Sequence, residues 1–374
     1  MDAAAPRPPA PEDAGPARLA ELRVLIDDTD RKLLRLLDQR IEYALQTARL
    51  KPAVTDSSRE DEVMSRVRSA ACGLLSEDFV ARLYASIIEE SKRLQARRPR
   101  FAGFQGEHGA WSEMALNRWD PNLVPVACRT FAEVFDGVSS GAFDRGLVPV
   151  ENSLGGSVID VSDLLMETAL SIVGEVRLPV RQCLLALPGT SLADIRTVRS
   201  HPQALAQCRG FLARHGLAAE PYFDTAGAAR WLMFEGARGV GVIASTLAAA
   251  LYGLDIVAEG VADHDGNETR FVVIARELHT GPADKGSIVL TTEDRAGALV
   301  QALGAFAAHR VNLSRIESRP VVGRRGSYTF LIDFAGDPAN DDVARALSAL
   351  GAQGASYRVL GFYPSDPAPA PGRT

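Results

Sequence analysis

At 374 residues the chain exceeds what one ordinary core organises, so two or three domains are expected. A hydrophobic share of 46% with 24% charged residues is that of a soluble globular protein. The formal net charge of −6 argues against nucleic acid or an anionic membrane as partner, so an anionic ligand would need local arginines and lysines.

Residues 1–16 are Pro/Ala-rich and read as a disordered tail, as do residues 363–374 at the other end. From 18 to 50, Leu22, Ile26, Leu33, Leu34, Leu37, Ile41 and Ala44 recur at helical spacing, with no Gly or Pro before Pro52 after Gly15 and Pro16, which predicts one long helix. Helical pattern returns over 59–70 and 77–97 and stops at Ala-Arg-Arg-Pro-Arg, giving an all-α unit over 17–98. From 100 to 277, short apolar runs (Gly-Leu-Val-Pro-Val, Phe-Val-Val-Ile-Ala) alternate with helical stretches, which predicts an α/β unit with a mainly parallel sheet. A β-α-β-β-α-β order over 285–362 predicts a small α+β ferredoxin-like unit.

Cys72, Cys128, Cys183 and Cys208 form no Cys-x-x-Cys pair, and no signal peptide is evident, so reduced thiols and a cytoplasmic location are expected. No apolar run reaches the roughly 18 residues of a membrane span. The six histidines lack ligand spacing, so no metal site is expected.

On the long helix, Arg40 and Lys51 lie about 20° apart around the axis and roughly 16 Å apart along it, so both can face one pocket. Arg23 lies about 25 Å from Arg40 and roughly 100° around, out of reach of the same site within one chain. An antiparallel partner helix would bring it there, which implies a dimer if all three act together. Ser91 and Gln95 share a helix face at i,i+4. Singly, each of these is most simply a solvated helix residue. Together, "LRVLIDDTDRKLLRLLDQR", "DSSRED" and "IIEESKRLQ" resemble the all-helical chorismate mutases over nearly all of 17–98. The resemblance implies substrate contacts at Arg23, Arg40, Asp56, Arg59, Glu60 and Ser91, with Arg23 supplied by a second protomer. It also implies catalytic Lys51 and Gln95, donating to the ether oxygen of chorismate as charge grows there.

Four stretches carry hydroxyls in the α/β unit: "GEHGAWSEMA", "PVENSLGGSVID", "DTAGAA" and "DGNETRF". The first three each follow a predicted strand and open a helix, where backbone N–H groups and a Ser or Thr make either an ordinary cap or an anion site. Their order, with "SHPQALAQCRGFL" and "ASTLAAALYGL", resembles prephenate dehydratase over about 100–277. That family implies two α/β lobes around a cleft, as in type II periplasmic binding proteins, and makes Thr269 the acid that protonates the leaving ring hydroxyl. It places Ser112, Glu151, Asn152, Ser153, Ser157, Thr225, Arg270 and Phe271 at the substrate, with Arg270 either pairing with a carboxylate or bracing its strand. Two departures stand out: Ala110 replaces the threonine of the usual Gly-Thr-Phe-Ser, and Gln182 replaces a histidine common before Cys-Leu-Leu.

The last unit resembles the ACT regulatory domain of these dehydratases. Gly297, Ala298, Leu299 and Val300, then Glu317, Ser318, Arg319 and Pro320, match its two phenylalanine-binding motifs, with Asn312 nearby. The expectation is therefore a bifunctional chorismate mutase–prephenate dehydratase of phenylalanine biosynthesis, feedback-inhibited by L-phenylalanine, a homodimer or homotetramer without cofactor. Two rivals are a mutase fused to a non-aromatising prephenate decarboxylase and an amino-acid sensor with degenerate catalytic halves.

Overall fold

The computed structural model describes residues 14–50, 56–71, 73–292, 295–320 and 328–366. Three helices open the chain: α1 (Ala14–Thr47), α2 (Ser57–Ala70) and α3 (Glu77–Ala96). The helix begins at Ala14, inside the segment expected to be a tail. It also ends short of the predicted Leu50: Ala48, Arg49 and Leu50 donate to the carbonyls three residues back, tightening the last turn. Asp56 caps α2 by accepting from the Arg59 amide at 3.1 Å, and Ser76 caps α3. Among the described residues no helix is long and apolar enough to cross a membrane.

The α/β unit has two lobes. In the first, β1 (Phe101–Gln105), β2 (Val124–Cys128), β3 (Arg145–Asn152), the short β4 (Gly156–Ser157), β5 (Ser171–Pro179) and β11 (Glu268–Ala275) form a sheet in the order β2-β1-β3-β11-β5, with β4 on β3. Three helices flank it: α4 (Trp111–Trp119), α5 (Phe131–Ser140) and α6 (Ile159–Glu167). In the second lobe, β6 (Cys183–Ala186), β7 (Thr197–Ser200), β8 (Ala218–Pro221), β9 (Val240–Ala244) and β10 (Asp255–Glu259) order as β10-β6-β9-β7-β8. Its helices are α7 (Pro202–Gln207), α8 (Arg209–Arg214), α9 (Thr225–Glu235) and α10 (Thr246–Tyr252).

Neither sheet is mainly parallel, contrary to the sequence expectation. β1 pairs parallel with β2 and β3, but β11 runs antiparallel between β3 and β5. The cause is topological. The chain leaves the first lobe at the carboxyl end of β5, builds the second, and re-enters the first as β11 at that same end of the sheet, with Glu268 beside Pro179. That return places the start of β11 beside the end of β3, with Thr269 paired to Asn152.

The last unit is β12 (Lys285–Thr292), α11 (Ala298–Ala308), β13 (Leu313–Pro320), β14 (Tyr328–Ala335), α12 (Asp341–Ala352) and β15 (Ser356–Tyr363), an antiparallel sheet in the order β13-β14-β12-β15. Tyr363, placed in the tail by the sequence, is instead a fully buried strand residue. Beyond it, Asp366 accepts from the Arg177 amide at 2.8 Å and pairs with Arg118.

One face of this sheet packs on α11 and α12. The other shares a core with the first lobe: Val289, Leu331, Leu360 and Tyr363 cluster with Val148, Val161, Leu165, Ile172, Val272 and Ile274. Each fully buried aliphatic side chain there contributes about 1.5–3 kcal/mol. The two units therefore behave as one packed body. Gly361 lies where β15 crosses β5, and a Cβ there would sit 2.1 Å from the Ile172 carbonyl oxygen. Gly361→Ala should lower unfolding free energy by about 1–3 kcal/mol in denaturant titration; an unchanged midpoint would mean the two backbones do not approach this closely.

Candidate functional site

The helical unit lines an open cavity of about 510 Å³. Arg40, Asp56, Arg59, Glu60, Ser91 and Gln95 all line it. Ser91 and Gln95 are buried despite their polarity: Ser91 Oγ receives a hydrogen bond from Arg40 at 3.4 Å, and the Gln95 amide donates to the Ala44 carbonyl. Glu60 pairs with Lys92 at 2.8 Å. Lys92 and Arg66 also line the cavity and were not picked out from the sequence, where they read as ordinary helix charges. Lys51 lies outside the described residues, beyond the end of α1. Arg23 is exposed on α1, away from this cavity.

In the α/β unit, pairing brings together the carboxyl end of β3 and the amino end of β11. Thr269 is 9% exposed, and its Oγ1 accepts from Asn152 Nδ2 at 2.9 Å. The same amide nitrogen donates to Asn267 Oδ1 at 2.7 Å, while Asn152 Oδ1 accepts from the Leu154 and Gly155 amides. Asn152 thus shapes the Ser153–Gly156 turn and fixes the threonine with one side chain. Ser153 ties the turn to β11, accepting from the Glu268 amide and donating to the Gly266 carbonyl. An amide relay continues outward, with Gln207 Oε1 accepting from both Asn267 and Gln182. Gln182, which replaces the family's histidine, is buried at the crossing between the lobes. Glu151 is exposed beside Asn152, and Ser157 Oγ donates to Glu317 of the last unit at 2.5 Å.

Ser112 is buried in the first turn of α4, which opens just after β1 at the same sheet edge. Thr225 is the first residue of α9, capped by Asp224. Asp224 also accepts from the Glu107 amide at 2.9 Å, joining the lobes. Gly109, with φ 91°, lets this loop approach within van der Waals range of Ala248. Ser245 donates to the Gly109 carbonyl and Tyr252 to that of His108.

Arg270 and Phe271 do not face the cleft. Phe271 is buried among Ala102, Phe104, Leu147 and Val176. The Arg270 guanidinium, on the opposite face, is taken up by Glu175 at 2.7 Å, Asp333 at 2.6 Å and the Tyr363 hydroxyl at 3.2 Å. The expectation of a substrate carboxylate at Arg270 fails because neighbouring strand residues point to opposite faces. In the last unit, Gly297 (φ 83°) precedes α11, Ala298 is buried, Leu299 packs into the core and Val300 is exposed. Asn312, Ser318 and Pro320 are exposed, whereas Glu317 and Arg319 turn towards the first lobe, Arg319 pairing with Asp163 at 2.8 Å.

The match to known families falls along these same three units. Residues 22–96 match chorismate mutase type II, 102–279 prephenate dehydratase and 286–352 the ACT domain. An arogenate dehydratase/prephenate dehydratase from Arabidopsis thaliana is 43% identical over 275 residues, 70% of this chain and 72% of that protein. The chain belongs to the prephenate dehydratase family. Within that family it has the architecture of a bifunctional chorismate mutase–prephenate dehydratase with a C-terminal ACT domain. A bifunctional N-acyl-homoserine lactone acylase/prephenate dehydratase from Komagataeibacter europaeus is 38% identical over 272 residues, 72% of this chain and 97% of that one. The crystal structure of prephenate dehydratase with L-Phe from Arthrobacter aurescens superposes with a TM-score of 0.65 at 34% identity, covering 71% of this chain and 89% of that one.

A charge cluster that the sequence reading missed joins the mutase unit to the dehydratase. His108 Nε2 lies 2.9 Å from Glu42 on α1 and Nδ1 3.1 Å from Glu113 on α4. A neutral imidazole can donate from only one nitrogen, so two carboxylate acceptors require the imidazolium. Burial opposes that charge, but hydrogen bonds to Glu113 and Glu42 outweigh it and push the pKa up to about 9. The folded value is raised above the ordinary value near ~6.5, so this stabilisation is full below about pH 6.5 and is lost as pH rises through about 9. The melting-temperature advantage of the wild type over Glu42→Gln should therefore shrink across that window; a difference independent of pH would rule out the imidazolium.

Proposed function

We propose that the chain converts chorismate to prephenate in the helical unit and prephenate to phenylpyruvate in the cleft, under feedback inhibition by L-phenylalanine at the ACT domain. The observation that carries the second step is the state of Thr269. Its oxygen is occupied as an acceptor by Asn152, and among the described residues no acceptor takes up its own proton. The hydroxyl is thus oriented by one partner and left with a proton to give. In the proposed step that proton goes to the ring hydroxyl of prephenate, the C–O bond breaks to release water, and the carboxylate leaves as CO2. The electron pair of the broken C–C bond completes the aromatic ring. A threonine is a weak acid, so placement within hydrogen-bond reach has to compensate for its pKa.

For the first step, Arg40 and Arg59 supply guanidinium groups at a cavity large enough for a small dicarboxylate, with Arg59 paired to Glu62 at 2.8 Å in the single chain. The rearrangement needs only a held conformer and donors at the ether oxygen, the role proposed for Gln95 and Lys51. Arg23 would come from a second copy. On α1, Leu22, Leu25, Ile26, Leu33 and Leu36 form a stripe about 100° wide. All five are exposed in the single chain, which supports a helix partner there. Glu317, Ser318 and the Gly297–Val300 turn are the residues proposed for the effector, which their relation to the ACT motifs supports.

Thr269→Ala should lower phenylpyruvate formation from prephenate by about 10²-fold or more while leaving chorismate consumption intact. Arg40→Ala should do the reverse. Both variants are assayed with chorismate, with prephenate and with arogenate, the substrate named for the relatives, and product is followed by absorbance. Equal loss of both steps in either variant would remove the division of labour.

A further inference from the structure

Behind the proposed acid, on the other face of β11, lies a buried polar island that the reaction does not use. Arg270 is 4% exposed, Glu175 5%, Lys285 7% and Asp333 2%, and Ser287 is fully buried. Glu175 Oε2 accepts from both Arg270 and Lys285 at 2.7 Å. Asp333 accepts from Arg270 through one oxygen and from Ser287 through the other, each at 2.6 Å. Tyr363 closes the ring, lying 3.2 Å from Arg270 and 2.6 Å from Ser287. Arg270 and Glu175 belong to the catalytic lobe; Lys285, Ser287, Asp333 and Tyr363 belong to three strands of the ACT sheet.

A charge cluster is a poor way to stabilise an interface that is otherwise apolar. Well-packed hydrophobic residues in the same volume are often as stable or more so, whereas removing one partner strands a buried charge. What such a cluster does supply is directional, one-register attachment, since each hydrogen bond holds only over a few tenths of an ångström. The attachment point is one peptide from Thr269, and β11 changes register against β3 between Arg270 and Phe271, next to the catalytic pairing. Such irregularities re-aim neighbouring side chains. On the other side, Asp333 is paired in register with Arg315, and Leu331, two residues before it, with Glu317 of the proposed effector motif.

We propose that Arg270 is a positioning residue that carries the state of the ACT sheet to Thr269. A shift of β14 relative to β12 and β15 moves the carboxylate and hydroxyl that hold the guanidinium. The guanidinium in turn sets the rotation of the first residues of β11, and so the direction of the threonine proton. This inference rests on the effector reading above. It adds the route by which the effector acts, and it gives Arg270 a place in regulation and none in substrate binding.

The test uses the full chain and two conservative changes on the ACT side, Tyr363→Phe and Ser287→Ala, with Asp333→Asn as a harsher third. Phenylalanine binding is measured by calorimetry, and phenylpyruvate formation from prephenate is measured with and without phenylalanine. The expected result is phenylalanine binding and uninhibited kcat within about threefold of wild type, with the inhibiting concentration raised about tenfold or more. Normal inhibition in all folded variants overturns the proposal alone. Loss of uninhibited kcat with unchanged inhibition also overturns it, because the island then only braces the strand. Absence of phenylalanine binding to the wild-type chain overturns the effector reading and the proposal with it.

Discussion

Successive residues of a strand face opposite sides of its sheet, and Thr269 and Arg270 are successive residues. Much of the molecule follows from that constraint. One face of β11 continues from Thr269 into the core beneath α4 through Phe271 and Val273; the other continues from Arg270 into the core shared with the ACT sheet through Val272 and Ile274. A single strand therefore separates the proposed chemistry from the ACT unit by the thickness of its own backbone. The antiparallel return of β11 matters for the same reason, because it places the threonine at the end of β3, where Asn152 can orient it.

The units are joined by different physics. ACT sheet and catalytic lobe share an apolar core with a polar island inside it, so their relative position is set to within hydrogen-bond tolerance. The mutase unit is attached through a small apolar cluster, Ile41, Leu45 and Leu94 against Phe101 and Val126, together with charge: Glu42 to His108, Arg49 to Asp144, and Arg35 over the Tyr252 ring at 5.8 Å. A charged attachment to the loop that opens α4 leaves the mutase cavity, on another face of α1, independent of the dehydratase cleft in its lining residues.

Local signals made most of this legible in advance. Helical periodicity located α1 to α3, and the β-α-β-β-α-β order located the ACT unit. Their i,i+4 spacing put Ser91 and Gln95 on one helix face, and the resemblance to the chorismate mutases singled them out. The misses share a cause, which is that they depend on contacts distant in sequence. Nothing near Arg270 announces Asp333, 63 residues away, and nothing near His108 announces Glu42, 66 residues away. The mixed sheet was missed because strand direction depends on where the chain re-enters the lobe. Tyr363 was missed because a Pro-rich ending masks one last strand residue. Gln182 was noted from the sequence as a departure; its burial within the Gln207–Asn267–Asn152 relay is a tertiary fact.

The most direct measurement is the fate of chorismate given to the purified wild-type chain alone, with products followed by absorbance and mass spectrometry. The expected course is transient prephenate followed by phenylpyruvate, with one CO2 released for each phenylpyruvate formed. A decarboxylated product that keeps its ring hydroxyl and never becomes aromatic would contradict the role given to Thr269, and recovery of unchanged chorismate would contradict the enzymatic reading as a whole.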